Sequence, residues 1–346
     1  MMKALLWRLP DDLEIGTGVL MREKNSVRPA VSVIIPVYCA SRDIPVALAS
    51  VFAQTFTNLE VIVVDDGSPD AADLKSALEP FRSRLRFIEQ PNRGAGAARN
   101  AGIRASHGRF VAFLDADDRW MPEFLAVQIA CLEANRGCAL VYCDAVISGE
   151  TPLAGRRFME TAPSNGEVTL LSLIRQECNI ALSTVVMRRR PLVAAGLFDE
   201  TLRRGQDFEL WLRLALRGAP MRYQRDVLAE RRARAWGLSG DAVTEIGRAL
   251  NVLDRFGRAH ALEGVARTAL RIRMMALVDR LEIEQAKQRL VEGNFAAARY
   301  HLSASREPGL KRRLALMALQ VAPRLIRSAY LWLRPSPMKG SPVLAR

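Results

Sequence analysis

The most constraining feature of this sequence is a short run of strand-forming residues that ends in acids. Residues 110–114 read Phe-Val-Ala-Phe-Leu, and Asp115, Asp117 and Asp118 follow within four positions. Such a run predicts a buried strand whose polar end faces a crevice at the sheet edge. Crowded carboxylates without a nearby His or Cys favour Mg²⁺ or Mn²⁺. The alternative is an Asp-rich turn before a helix, since Pro122 is typical of a helix start.

Similar apolar runs alternate with helical segments along the first half of the chain. Strands are predicted at 31–35, where Pro36 would end the strand, and at 59–64, 85–88 and 139–142. This alternation predicts an α/β fold with a mostly parallel sheet flanked by helices. The carboxyl ends of parallel strands meet at one edge of the sheet. We therefore expect Pro36, Tyr38 and Asp66 to share one crevice with the acids after residue 114, and this convergence is stronger evidence than any single motif.

The later sequence changes character. Residues 205–216 predict an amphipathic helix with Asp207 in its first turn, where an acid is either a favourable partner of the helix dipole or a catalytic group. Beyond residue 240 only helical patterns occur. Residues 314–333 are apolar but interrupted by arginines, which indicates an interfacial or packed amphipathic helix and not a membrane span.

The positive charge lies in the last third of the chain. The formal net charge is +13, and residues 231–346 hold 22 Lys and Arg against 9 Asp and Glu, a surplus equal to that charge. A basic C-terminal region indicates an anionic partner, either lipid headgroups or nucleic acid. The acids at the predicted crevice would repel nucleic acid, so we expect no nucleic-acid partner.

Cysteine and histidine patterns give no zinc constellation. The five cysteines form no Cys-x-x-Cys pair and the three histidines are well separated, so reduced thiols in the cytosol are expected. Near the start, Arg8 interrupts the apolar residues 4–7 too early for a signal peptide or a membrane span. We therefore predict a cytoplasmic protein.

Residues 92–100 combine glycines with arginines. Gly94 and Gly96 precede a predicted helix, but Arg99 stands where a dinucleotide-binding loop has its third glycine. Backbone N–H groups beside Arg93 and Arg99 suit a phosphate, and a helix start with surface arginines is the alternative.

Several segments recur in the order known from one enzyme family. They are 31–38 (Val-Ser-Val-Ile-Ile-Pro-Val-Tyr), 50–55 (Ser-Val-Phe-Ala-Gln-Thr), 63–68 (Val-Val-Asp-Asp-Gly-Ser), 92–94 with 98–102, 113–118 (Phe-Leu-Asp-Ala-Asp-Asp) and 196–200 (Gly-Leu-Phe-Asp-Glu) followed by Gln206-Asp207. The chain resembles the family 2 glycosyltransferases, which have the GT-A fold. The resemblance implies an N-terminal extension at 1–29, a GT-A catalytic domain at 30–240 and a basic α-helical region at 241–346.

The resemblance implies a role for each candidate residue near the nucleotide. Asp66 would bind the nucleobase or ribose of a nucleotide-sugar donor, with Pro36 and Tyr38 lining the same pocket. Asp115 and Asp117 would form the DxD motif, with Asp117 as the contact for Mn²⁺ or Mg²⁺. The metal would neutralise charge on the departing diphosphate.

The resemblance also implies the chemistry. Arg99 would stabilise the leaving diphosphate, and Asp207 would be the general base that takes the proton of the acceptor hydroxyl, so that one displacement inverts the anomeric carbon. Cys39 and Gln206 replace the Asn and Glu that are usual in the family. The QxxRW signature of processive members is absent, and residues 231–236 resemble the closing segment of non-processive members. One sugar per acceptor is implied.

The expected function is transfer of a sugar, by default from a UDP-sugar, to a saccharide or lipid-linked saccharide in cell-surface polysaccharide biosynthesis. The basic tail would then hold the protein on the anionic inner face of the membrane; a helical bundle with a solvated basic face is the alternative. The candidate membrane contacts are 311–313, Arg324 and Arg327, beside Leu314, Leu316, Leu319, Leu325, Tyr330 and Trp332. A different class of function remains open, namely a catalytically inactive GT-A-like protein that binds a membrane surface.

Overall fold

A computed structural model describes residues 28–233, 242–306 and 310–333. Residues 1–27 of the predicted N-terminal extension lie outside the described residues. The chain divides into two compact units. The first comprises residues 1–240 and 252–270, and the second comprises residues 241–251 and 271–346.

The first unit is built on one mixed sheet. Among the described residues, eight strands lie in the order β3-β2-β1-β4-β7-β6-β8-β5. They are β1 (Val31–Val37), β2 (Leu59–Asp65), β3 (Arg86–Glu89), β4 (Phe110–Phe113), β5 (Arg119–Trp120), β6 (Leu140–Gly149), β7 (Val185–Arg188) and β8 (Met221–Ala233). The first four strands of this order are parallel. In the other half, β7 is antiparallel to β4 and β6, β8 is parallel to β6, and β5 is antiparallel to β8.

Helices connect and cover these strands. They are α1 (Ile44–Phe52), α2 (Ala71–Leu78), α3 (Ala95–Ala105), α4 (Phe124–Ala134), α5 (Phe158–Thr161), α6 (Leu170–Ile174), α7 (Arg189–Ala194), α8 (Gln206–Leu216), α9 (Ala242–Ala259), α10 (Gly264–Glu292), α11 (Phe295–Ala304), α12 (Leu310–Val321) and α13 (Pro323–Leu333). Short 3₁₀ turns lie at Glu79–Arg84 and Leu182–Thr184. The predicted α/β class, with a helical C-terminal region, is confirmed.

The central strands read as continuous apolar runs because helices cover both of their faces. Val33 and Ile35 of β1 are buried in the cluster that includes Leu48 of α1. On β2, Ile62 and Val64 pack on the other face, against Ala98 of α3. Burial of both faces removes the polar alternation of a half-exposed strand.

Three details differ from the sequence predictions. Pro36 lies inside β1 instead of ending it; β4 pairs with β1 only as far as Ile34, so no β4 partner lies opposite the proline. The long strand β8 and the short strand β5 were missed. β8 alternates charged and apolar residues irregularly, and its pairing with β6 contains register shifts, so its sequence has no clear period of two.

The second unit contains the C-terminal helices. Leu319 of α12 is buried against Leu290 and Ala298, and Ile326 and Tyr330 of α13 pack on the same cluster. The apolar segment at 314–333 is thus two helices, which meet at Ala322 and Pro323 because proline favours the first turn of a new helix. Within the described residues, none of the helices has the length and apolar content that a membrane crossing needs.

Candidate active site

Three strand ends meet at one edge of the parallel half of the sheet. β1 lies between β2 and β4, and Val37 is in register with Asp65. The N–H of Asp66 donates to the carbonyl of Val37 at 2.9 Å, and the N–H of Leu114 donates to the carbonyl of Ile34 at 3.1 Å. The residues that follow these strands therefore lie side by side, as the sequence predicted.

Three hydrogen bonds hold the carboxylate of Asp66. One carboxylate oxygen accepts from the side-chain amide of Gln90 at 2.7 Å and from the N–H of Arg93 at 2.9 Å. The other oxygen accepts from the N–H of Gly94 at 2.7 Å. This network ties the end of β2 to the glycine-rich segment before α3 and fixes the carboxylate in one orientation.

The turns beside Asp66 are tightly built. Gly67 has φ +71°, and a Cβ at this position would lie 2.7 Å from the backbone nitrogen of Asn92, so only glycine fits. Cys39 also has a positive φ of 50°, and its N–H donates to the hydroxyl of Ser68 at 3.2 Å. Tyr38 is 52% exposed beside this turn, which leaves its ring available to a ligand.

Arg99 and Asp115 form a partly buried ion pair. Nη2 of Arg99 lies 2.7 Å from Oδ1 of Asp115, and the arginine is only 7% exposed while the side chain of Asp115 is 40% exposed. Phe198 lies under the guanidinium, 5.7 Å from its ring centre. Among the described residues, Nε of Arg99 is buried without a hydrogen-bond acceptor. The guanidinium of Arg99 thus positions the carboxylate of Asp115.

Asp118 is the buried member of the acidic cluster. Burial, with smaller contributions from the nearby carboxylates of Asp115 and Asp117, raises the pKa of its carboxyl to about 7 against the opposing charge of Arg231. One of its oxygens accepts from the N–H of Arg232 at 2.8 Å. Three acids therefore crowd one place, as the sequence predicted.

The N-terminus of α8, the helix that carries Asp207, packs against α3, the helix that follows the glycine-rich segment. Gly205, with φ +76°, precedes α8, and Asp207 lies in its first turn. A Cβ on Gly96 of α3 would lie 3.2 Å from the side chain of Gln206 and 3.3 Å from the carbonyl of Asp199. Gly96 thus allows the N-terminus of α8, which carries Asp207, to approach the N-terminus of α3.

Residues 195–200, the loop clamp, hold these two helices together. The side-chain amide of Asn100 donates to the carbonyl of Phe198 at 2.8 Å, and its oxygen accepts from the N–H of Phe198 at 3.0 Å. From the other side, Arg213 of α8 donates to the carbonyl of Leu197 at 2.6 Å and pairs with Glu209 through two contacts of 2.6 Å. Glu209 and Arg213 therefore form an ion pair within α8, and the same arginine also anchors the loop clamp.

The end of β8 closes the crevice from the second half of the sheet. Arg232 pairs with Asp43, which precedes α1, at 2.7 Å. The ring of Phe158 lies 4.7 Å from the guanidinium of Arg231. Residues 234–236, part of the segment that resembles the closing segment of non-processive members, lie outside the described residues.

The donor set fits a hard divalent cation that is also held by its substrate. Within the described residues, no three His, Cys, Asp or Glu side chains are arranged as a complete metal site. Mg²⁺ is commonly bound by one or two carboxylates together with substrate phosphates. The crowded carboxylates of Asp115, Asp117 and Asp118 match that chemistry, because the first two raise the pKa of Asp118 and so lie close to it.

Comparisons with known proteins agree with this geometry. Residues 32–195 match the family model described as Glycosyl transferase family 2. The Escherichia coli UDP-Glc:alpha-D-GlcNAc-diphosphoundecaprenol beta-1,3-glucosyltransferase WfgD is 33% identical over 183 residues, which cover 53% of this chain and 68% of that protein. An uncharacterized glycosyltransferase of Rickettsia felis is 34% identical over 188 residues, 54% of this chain, but the chain spans only 30% of that relative's length.

A solved structure shares the fold. The mannosyltransferase PcManGT from Pyrobaculum calidifontis, in complex with GDP-Man and Mn²⁺, has a TM-score of 0.56 at 21% identity, with 95% of this chain and 90% of that chain covered. The fold and the crevice thus define a protein of the GT-A class. The chain belongs to glycosyltransferase family 2.

The structure also shows site residues that sequence reasoning missed. Ser183 accepts the N–H of Asp115 at 3.1 Å and lowers the pKa of Asp118 through a hydrogen bond, although it lies 65 or more positions away along the chain. Gln90 and Asn100 were likewise not singled out. A single polar residue gives no periodic signal, so only the three-dimensional contact identifies it.

Proposed function

We propose that this protein is an inverting glycosyltransferase that moves one sugar from a UDP-sugar to a hydroxyl of a lipid-linked saccharide, in cell-surface polysaccharide biosynthesis. The observation that carries the proposal is the convergence of Asp66, the acidic cluster after β4 and the N-terminus of α8 at one crevice. The choice of UDP and of a lipid-linked acceptor is supported by the similarity to WfgD, whose name states both.

The donor half of the crevice binds the nucleotide. Asp66, already oriented by three donors, would accept hydrogen bonds from the nucleobase or ribose, and Tyr38 and Pro36 would line that pocket. Asp117, with Asp115, would hold Mn²⁺ or Mg²⁺, which supplies Lewis-acid neutralisation of the diphosphate. Arg99, whose Nε lacks a protein acceptor among the described residues, would donate to the same diphosphate.

Asp207 would complete the reaction from the opposite side. Its carboxylate takes the proton of the acceptor hydroxyl as the acceptor oxygen bonds to the anomeric carbon. The bond from that carbon to the diphosphate oxygen breaks, and its electron pair leaves with UDP. Because attack and departure occur on opposite faces in a single step, the anomeric configuration inverts. Alignment of the two substrates contributes as much as the proton transfer.

The test measures donor binding and transfer with the full chain. Binding of a panel of nucleotide sugars is followed by calorimetry with Mn²⁺, Mg²⁺ or EDTA, and transfer to a GlcNAc-diphosphate-lipid is followed by product NMR, which reports the anomer. We expect metal-dependent binding of a UDP-sugar and an inverted product. Asp117→Asn should lower transfer by about 1,000-fold, in line with the several kcal/mol that a Lewis acid supplies.

The matched control is Asp226→Asn on β8, an exposed acid that contacts Gln224 outside the crevice. It should keep wild-type binding and transfer. Failure of every donor to bind with metal present would instead favour the inactive, membrane-binding alternative. A product of retained configuration would exclude the role given to Asp207.

A further inference from the structure

The last two helices are apolar on two opposite sides. Their inner sides pack into the second unit through Leu319, Ile326 and Tyr330. On α12, four further apolar residues are exposed: Leu310, Leu314, Met317 and Val321. Their spacing of four, three and four positions places them along one face of the helix. An inner apolar face explains packing in the bundle, and the outer face needs another explanation.

The second of these helices, α13, also exposes apolar residues. Leu325 is 71% exposed and Trp332, seven positions later, is 84% exposed. Residues seven apart lie on the same side of a helix, and the small residues Ser328 and Ala329 between them are also exposed. The outer face is therefore defined by six residues: Leu310, Leu314, Met317, Val321, Leu325 and Trp332. Several large apolar side chains exposed on neighbouring helices indicate an interaction site.

The charge around the outer face has one sign. Residues 310–333 contain five Lys and Arg and no Asp or Glu. Two of these arginines serve the bundle: Arg312 donates to the carbonyl of Ser305, and Arg327 donates to the carbonyl of Val291 at 3.0 Å. Arg313 and Arg324, by contrast, are exposed. The surface thus presents cations beside apolar side chains.

We propose that the outer face of α12 and α13 docks on an anionic lipid membrane, with both helices lying in the plane of the interface. Apolar residues would enter the acyl boundary, Trp332 would sit at the headgroup level, and Arg313 and Arg324 would pair with lipid phosphates. Helices of 12 and 11 residues are too short to cross a bilayer, which agrees with an in-plane position. The absence of acids is what singles out anionic lipid among apolar partners.

The structure assigns the membrane contact to a different set of residues from the one predicted from the sequence. Among the candidates named from the sequence, Leu319 is buried in the bundle and Tyr330 packs on the same cluster, so neither belongs to the outer face. Met317 and Val321, which were not candidates, do belong to it. The inference therefore has its own residues to test and does not depend on the proposed catalytic function.

The test is sedimentation of the full chain with vesicles of phosphatidylcholine alone or mixed with phosphatidylglycerol. Wild type should partition onto the mixed vesicles and only weakly onto phosphatidylcholine. The outer-face variant M317S/V321S/W332S should lose up to about 1,000-fold in partitioning, because each of the three apolar side chains contributes about tenfold or less. The charge variant R313Q/R324Q should lose about 25-fold on mixed vesicles and little on phosphatidylcholine, since each cation contributes about fivefold.

The matched control is L153S/V193S, which removes exposed apolar residues of the first unit. It should partition like wild type, and all variants should keep the wild-type melting temperature. Equal partitioning of the outer-face variant and wild type would overturn the proposal. The proposal would also be overturned if wild type bound no vesicles and the outer-face variant differed from it in oligomeric state. That result would identify a second copy of this chain as the partner of the outer face. UDP-sugar binding by the outer-face variant separates this outcome from a failure of the catalytic proposal.

Discussion

The two halves of the sheet hold their functional residues in different ways. In the parallel half, Asp66 is held by residues that lie within 28 positions of it along the chain. In the mixed half, the contacts span much longer separations: Arg232 reaches Asp118 across 114 positions and Asp43 across 189. The donor pocket is therefore a local construction, and the closing side of the crevice depends on the assembled tertiary structure.

This difference predicts different consequences for mutation. Changes in the local, parallel half should affect donor binding and the stability of that pocket together. Changes to α8 and the loop clamp, which lead into β8, should instead lower the rate of transfer while a donor still binds. The following substitutions test that division.

The largest effect is expected for Asp207→Asn. The amide keeps the size of the side chain but cannot take a proton, so kcat should fall by about 1,000-fold, within the usual range for a general base. Donor affinity, measured by calorimetry with metal present, should stay at the wild-type value because the proposed mechanism has Asp207 act on the acceptor hydroxyl. A parallel loss of donor affinity would contradict the division between the two halves.

The same division explains what the sequence could predict. The strands of the parallel half have continuous apolar runs that end in acids, so β1, β2 and β4 and the positions of Asp66 and Asp115 followed from the sequence. β8 could not be predicted, because its pairing with β6 contains register shifts and four arginines interrupt its apolar residues. A strand that is stabilised by residues distant along the chain need not show a recognisable hydrophobic pattern in its own sequence.

The roles of individual polar residues were also beyond the sequence. Asn100 was part of a recognised motif, but its pairing with both backbone groups of Phe198 depends on residues 98 positions apart. The burial of Asp118 depends likewise on the end of β8. The order of the motifs predicted which segments meet. The three-dimensional structure was needed to show which atoms are in contact.

A smaller effect is expected for Asp66→Asn in the parallel half. One of the two oxygens would become an NH₂ group, which cannot accept from the N–H groups that now point at the carboxylate. At least one buried donor would lose its acceptor, so the free energy of unfolding should fall by about 1–3 kcal/mol and donor affinity by about 100-fold. Urea unfolding and calorimetry measure the two effects, and Asp73→Asn on α2, an exposed acid, is the control.

Asn100→Asp tests the loop clamp. The carboxylate still accepts from the N–H of Phe198 but cannot donate to its carbonyl, and it faces Glu200, to which Asn100 donates at 3.0 Å. We expect kcat to fall about tenfold at unchanged donor affinity, because misplacement of α8 affects the base more than the donor pocket. Asn135→Asp, which lies at the end of α4, should leave kcat unchanged. A loss confined to donor affinity would assign the clamp to the parallel half.

The smallest effect concerns the acid side of the pH range. Asn100 lowers the pKa of Glu200 from its ordinary value of 4.5 by donating to it; burial opposes the shift, and Arg104 and Arg93 add to it. A carboxyl whose pKa is lower in the folded protein stabilises that protein above pH 4.5 and loses this contribution as the pH falls through the folded value. Glu200→Gln should therefore be less stable than wild type at neutral pH, by about 1 kcal/mol or less because the group is partly exposed. The difference should vanish in acid, as urea unfolding at a series of pH values would show.

Glu150→Gln, a substitution at an exposed residue, is the control and should show no such convergence with wild type. If the gap between wild type and Glu200→Gln stays constant with pH, the clamp is held by the shape of residues 195–200 and not by the charge of Glu200.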